Sequence, residues 1–116
     1  MQDIHERAFA FACRVVELHR FLCTHGRTGR VLADQVLRSG TAVGANLEEG
    51  RSGQSRADFI SKHSIALKEA RETHYWLRLL ASCDLAPPNL IAPLIAEANE
   101  LIAIVTAIVK KAKSAR

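Results

Sequence analysis

In the stretch Ile4-His5-Glu6-Arg7-Ala8-Phe9-Ala10-Phe11-Ala12-Cys13-Arg14-Val15-Val16-Glu17-Leu18-His19-Arg20-Phe21-Leu22, apolar residues recur at alternating steps of four and three. Ile4, Ala8, Phe11, Val15, Leu18 and Leu22 carry the repeat. A 3.5-residue seam held over nearly three heptads is the pattern of a helix packed against other helices in a bundle or coiled coil. Asp3 and Arg7, four residues apart, are expected to form a weak surface pair. The run His25-Gly26-Arg27-Thr28-Gly29 ends the segment.

The rest of the chain repeats this organisation three times. A second helix is predicted from about Thr28 to Glu49, with a seam of Leu32, Val36, Ser39, Val43 and Asn46. Gly40, Ala42, Ala45 and Leu47 flank it, and Gly44 is a second glycine in the helix interior. Each such glycine costs up to about 1 kcal/mol relative to alanine, so close approach of a neighbouring helix is expected as compensation. Gly50-Arg51-Ser52-Gly53 stops this helix, and Ser55 is a candidate N-cap with Asp58 three residues on.

The third helix, roughly Ser55 to Ser82, has two stripes. Phe59, Ile60, His63, Ala66, Ala70, Leu77 and Leu80 form one; Ile65, Glu69, Glu72, Trp76 and Leu79 form the other. A second, partly apolar stripe predicts a second contact. Asp84-Leu85-Ala86-Pro87-Pro88-Asn89 breaks the chain, because consecutive prolines do not fit a helix interior. The fourth helix, about Asn89 to Lys113, is apolar on more than one face and is interrupted only by Glu97, Asn99, Glu100 and Thr106. A helix nearly without a polar side predicts burial on most sides, hence self-association of the chain. Short connections make neighbours antiparallel, giving one all-α domain over residues 1–116, an up-down-up-down four-helix bundle.

Composition agrees with one small globular domain. The chain has 116 residues, 48% hydrophobic and 24% charged, with aromatics at only 5%, so the core must be Leu, Ile, Val and Ala. That composition suits helix packing and suits a β-sandwich poorly. Three cysteines, Cys13, Cys23 and Cys83, form no paired framework, which points to free thiols in a reducing compartment. No signal-peptide pattern opens the sequence. Two carboxylates and an amide within the apolar stretch from Leu90 argue against a membrane span, so a cytoplasmic location is expected.

Sites of chemistry are sparse. Glu17-Leu18-His19 and Glu72-Thr73-His74 have the wrong spacing for a Glu-x-x-His di-iron pair. His19, Cys23 and His25 lack a fourth ligand for tetrahedral zinc, so no metal and no cofactor is expected. Nucleophile-elbow, phosphate-loop and dinucleotide motifs are missing, and the chain is read as not an enzyme. Asn46, Glu49, Glu69 and Glu72 lie on stripes that look buried. They either satisfy one another or cap nearby backbone groups, fixing helix register, or are poised at a bundle end for a ligand or partner.

The formal charge is +4, and the basic residues gather at two places. Arg51, Arg56 and Lys62 surround the second turn, and Lys110, Lys111, Lys113 and Arg116 close the chain. Cations near a helix C-terminus complement its dipole. Repeated in a symmetric ring, they would also form a rim able to bind RNA or DNA with little sequence preference.

The run Gln35-Val36-Leu37-Arg38-Ser39-Gly40-Thr41-Ala42-Val43-Gly44-Ala45-Asn46-Leu47-Glu48-Glu49-Gly50 resembles the Q-x-x-R-S-x-x-S-x-x-x-N-x-x-E-G core of the four-helix-bundle family, also called the 23S rRNA intervening-sequence proteins. Ser55 to Leu80, with Phe59, Ile65 to Ala70, Glu72-Thr73 and Tyr75-Trp76-Leu77, resembles its third helix. Thr41 replaces a common serine, and Glu48 a usual small residue. The resemblance implies an up-down bundle forming homopentameric rings, of bacterial origin and unassigned role. It also implies kinship with a basic, pentameric, nucleic-acid-binding accessory protein of diversity-generating retroelements. Gln35, Arg38, Asn46, Glu49, Gly50 and Glu72 match the family motif, for which the resemblance supplies no catalytic role. The expected function is a non-enzymatic homo-oligomeric RNA- or DNA-binding accessory or scaffold. The alternative is a module that docks a partner protein, with the basic charge incidental.

Overall fold

The computed structural model describes residues 3–115. They form four helices, α1 (Ile4–Cys23), α2 (Arg27–Arg51), α3 (Arg56–Ser82) and α4 (Pro88–Ser114), in a rod about 50 Å long and 20 Å wide. Local chemistry explains the ends. Asp3 accepts the Glu6 N–H at 2.9 Å and Ser55 accepts that of Asp58 at 3.1 Å, each satisfying an orphan donor of a first turn. The hydrogen bond from Glu6 also holds the Asp3 carboxyl below its usual pKa. Pro88 starts α4 one residue earlier than expected, because a proline at the first helical position loses no hydrogen bond. At the end of α3, Asp84 takes φ of 55° while the Leu85 N–H donates to Leu80 O at 3.0 Å, a Schellman closure usually built on glycine.

Consecutive helices pack side by side, and α4 returns to α1. Their partners run in opposite order. Gly40 meets Val15 and Gly44 meets Ala8 across α1 and α2, whereas Ser39 meets Thr73 and Gly50 meets His63 across α2 and α3. Arg56 reaches Ala112 at the far end of α4. The bundle is therefore up-down-up-down.

Buried residues follow a heptad seam in every helix, and the seam on α2 differs from expectation. The central line is Gly29, Ala33, Val36, Gly40, Val43, Leu47 and Gly50, joined by Ser39. Leu32 and Asn46, placed on the seam by their spacing, are only half-buried and flank it. Glycine at the centre brings the backbones together, which pushes larger side chains to the sides. The compensation expected for the interior glycines is thus visible at Gly40, whereas a Cβ on Gly44 would meet only ordinary contacts from 3.6 Å. A Cβ on Gly40 would stand 2.9 Å from Val15 Cγ2, and one on Gly50 2.7 Å from His63 Nδ1.

The core divides in two. Phe11, Leu18, Leu22, Leu77, Leu94 and Leu101 fill the half near the α1–α2 and α3–α4 turns. Ala8, Val43, Leu47, Ala66, Ala70 and Val105 fill the other with smaller volume. Arg7 does not pair with Asp3. It instead grips Glu97 of α4 through Nε at 3.0 Å and Nη2 at 2.7 Å, so one of the carboxylates interrupting α4 faces inward. What α4 shows to solvent includes the small residues Ala92, Ala96, Ala103 and Ala107, with Ile95, Ile102, Ile104 and Ile108 only half-buried beside them. Its mean hydropathy reaches 1.7, enough by length and composition to cross a membrane, yet Ile91, Leu94, Leu101 and Val105 pack into the bundle core.

Two glycines should answer alanine with opposite signs in urea unfolding. Gly50→Ala is expected to cost about 1–2 kcal/mol, overpacking against the His63 ring outweighing the helix-propensity gain. Gly44→Ala is expected to add up to about 1 kcal/mol. The Gly44 Cβ would meet Ala8 at an ordinary 3.6 Å.

Candidate functional site

Two surfaces hold the residues that the sequence singled out. The first is the polar seam between α2 and α3. Arg38 reaches across from α2, donating through Nη1 to Glu69 at 3.4 Å and through Nη2 to Glu72. Its Nε and Nη2 also approach Gln35 Oε1 at 3.4 and 3.3 Å. Trp76 completes the network by donating its indole N–H to Glu72 at 3.0 Å. Beneath it, the Thr73 and Ser39 hydroxyls stand 2.8 Å apart in the interior, each also within hydrogen-bonding distance of a carbonyl one turn back in its own helix, so two hydroxyl protons are shared among three contacts. Seven residues of this seam, Gln35, Arg38, Ser39, Glu69, Glu72, Thr73 and Trp76, thus bond one another. Such a cluster has the form of a register lock, since a slip of either helix would strand buried hydroxyls at about 1–3 kcal/mol each.

Motif residues outside that network have local partners. Asn46 donates to Ala42 O of its own helix at 2.8 Å, so of the two arrangements expected for it, pairing with a carboxylate or bonding nearby backbone, the structure has the backbone bond. A side-chain bond to the i−4 carbonyl satisfies the amide without crossing the interface. Glu49 takes Lys62 at 3.0 Å, and Gly50 admits the His63 ring. That ring is 2% exposed, stacks on Phe59 at 3.8 Å and bonds Phe59 O at 2.8 Å.

The second surface is one end of the rod. Both basic groups meet there, because α2 and α4 end where α3 begins. Arg56 donates to Ala112 O at 3.0 Å and Lys113 O at 3.2 Å, a side-chain cap on the open carbonyls of α4. Arg51 pairs with Glu48, and Lys62 with Glu49. Lys110, Lys111 and Lys113 are exposed and have no carboxylate partner among the described residues. Arg116 lies outside the described residues. Of the six cations described, three are thus held by intramolecular bonds and three remain open to a ligand.

The His19–Cys23–His25 group does not assemble. Cys23 Sγ stands 3.6 and 3.5 Å from the two ring nitrogens of His19. Near-equal distances put the sulfur over the ring face, away from either nitrogen's in-plane lone pair. The His19 ring bonds Asp34 at 2.9 Å, while His25 stacks on Phe21 at 3.9 Å. Among the described residues, no three His, Cys, Asp or Glu side chains converge as a metal site would require. Sequence reading also passed over the outer face of α3, where Tyr75 is half exposed and Arg78 lies 5.9 Å from its ring. Burial and, secondarily, the Arg78 charge hold His74 beside them below its ordinary pKa. The signal was the 3-4 spacing of Lys68, Arg71, Tyr75 and Arg78, diluted by the charges of the neighbouring stripe.

Comparison with known proteins places this geometry. A crystal structure of a protein with unknown function from the S23 ribosomal protein family of Bacteroides thetaiotaomicron shares the fold with a TM-score of 0.87. The two are 38% identical, over 93% of this chain and 99% of that one. No match is found among curated proteins. The family described as 23S rRNA-intervening sequence protein matches residues 2–107, across all of α1, α2 and α3 and most of α4. The chain belongs to the 23S rRNA-intervening sequence protein family.

Proposed function

We propose that the chain is a non-enzymatic cytoplasmic scaffold that self-associates, as a pentamer by family resemblance, and binds RNA or DNA as an accessory protein. The observation that carries the reading is the outer side of α4. Its small ridge of Ala92, Ala96, Ala103 and Ala107 invites close approach of another helix, and its last turns carry the unpaired Lys110, Lys111 and Lys113. One subunit offers three cations there, and a symmetric ring multiplies them.

A second reading, docking of a partner protein, is favoured by Phe9. This side chain is 72% exposed on α1, beside a cleft lined by Asp3, His5, Glu48 and Arg51. Binding of one protein that is insensitive to salt, together with failure to bind any polynucleotide, would select it.

Self-association is checked by solution mass. Ala103→Glu places a charge on the α4 ridge and should reduce the mass to that of one chain with helix content unchanged; an unaltered mass would remove the ridge from the interface. Binding is checked with labelled structured RNA and duplex DNA across a salt series. Neutralising three duplex phosphates should weaken affinity roughly 40-fold between about 50 and 200 mM salt, and more steeply in an oligomer. Lys110→Glu with Lys111→Glu and Lys113→Glu should flatten that slope. An intact oligomer that binds neither probe at low salt would refute the nucleic-acid role.

A further inference from the structure

The outward side of α3 is a continuous line of residues at alternating steps of three and four: Ser61, Ser64, Lys68, Arg71, Tyr75, Arg78 and Ser82. It lies opposite the buried seam of Ala66, Ala70, Thr73, Leu77 and Leu80. Its composition is unusual for a solvated helix face. Hydroxyls, cations and one phenol are all hydrogen-bond donors, and no carboxylate interrupts them. Lys68, Arg71 and Arg78 are exposed and enter no ion pair among the described residues. The acidic neighbours in sequence, Glu69 and Glu72, are turned to the α2 side and held there by Arg38 and Trp76. Their charge is thereby matched locally, and the strip keeps its own.

Tyr75 sits at the middle of the strip, 50% exposed, where burial gives little reason for an aromatic ring. Trp76 braces it edge-on, with ring centroids 5.1 Å apart and planes at 72°. Arg78 stands at 5.9 Å from the ring centroid. Beside the ring runs a shallow cleft of about 160 Å³ lined by Tyr75, Arg78, Leu79 and Ser82. A fixed, exposed aromatic next to a guanidinium, with cations along the same line, is the arrangement that stacks an unpaired base while holding its backbone phosphates.

We propose that this face of α3 binds single-stranded polynucleotide, Tyr75 stacking a base and Lys68, Arg71 and Arg78 contacting the backbone. The inference rests on the nucleic-acid reading above and moves its principal contact from the α4 lysines to α3. Lys68 and Arg78 are ten residues apart, about 15 Å along the helix, which spans a few nucleotides of an extended strand. Duplexes bind less well here, because their bases are already stacked and offer Tyr75 no face. The strip lies on a different helix from the α4 ridge.

The test is fluorescence anisotropy of labelled 12-nucleotide oligouridine RNA, oligothymidine DNA and a duplex of equal length, using the full chain. The wild type is expected to bind single strands more tightly than duplex, and the RNA and DNA arms show which backbone is preferred. Tyr75→Ala should weaken single-strand binding roughly five- to a hundredfold and duplex binding less than twofold, with Tyr75→Phe restoring the loss. Lys68→Gln with Arg71→Gln and Arg78→Gln should lower the single-strand salt slope by about two. Far-UV circular dichroism and the urea-unfolding midpoint verify that these exposed substitutions leave the fold intact. Wild-type binding that survives both sets of α3 changes, and is lost when Lys110, Lys111 and Lys113 are neutralised, would overturn this inference and leave the nucleic-acid reading standing. Failure of the wild type to bind any of the probes would overturn both.

Discussion

The distance between α2 and its two neighbours controls everything else in this bundle. Gly40 lies against Val15 of α1, and Gly50 lies against His63 and Lys62 of α3. With no Cβ at these points, α2 can approach closely on both sides, and the space that remains suits Ala66, Ala70, Val43 and Val105. Glycine in a helix interior is a local loss of up to about 1 kcal/mol per site. Tight dispersion contacts along both interfaces offset it, as core packing at near-crystalline density requires.

Close approach also explains the polar chemistry between α2 and α3. Ser39 and Thr73 share a hydrogen bond in the interior because their backbones lie near enough for two short side chains to touch. Above them Arg38 spans to Glu69 and Glu72, and Trp76 secures Glu72 from its own helix. Arg38 is half exposed, so solvent screens this ion cluster and its net stabilisation is modest, of order 1 kcal/mol or less. Its effect is directional: it holds two carboxylates on one flank of α3. The outer flank is left with cations, hydroxyls and Tyr75.

Charge on this protein is divided by what the helix ends need. Arg56 is used on the carbonyls of α4, Lys62 on Glu49 and Arg51 on Glu48. Open cations lie elsewhere, among them those on the last turns of α4 and along the outside of α3. A net charge of +4 conceals this partition, since pairing removes local field without changing the total. Apolar surface is divided in a similar way. Glu97 turns toward Arg7, and the outward side of α4 is left rich in alanine.

The helical architecture was legible from residues alone because heptad spacing, the N-cap at Ser55 and breaks at Gly53 and Pro87 are local signals. Ser55 caps α3 as its spacing with Asp58 predicts, and boundaries elsewhere moved by one or two residues at most. The motif polar residues could be picked out, but their partners could not. Asn46 falls on the seam by its spacing from Ser39 and Val43, whereas backbone proximity put Gly40, Leu47 and Gly50 at the centre. The fate of each cation was likewise invisible, since pairs such as Arg7 with Glu97 join residues ninety positions apart. Sequence determines period, caps and breaks through interactions within a few residues. Only tertiary structure decided which charges neutralise one another and which face is left open, because those contacts form between helices distant along the chain.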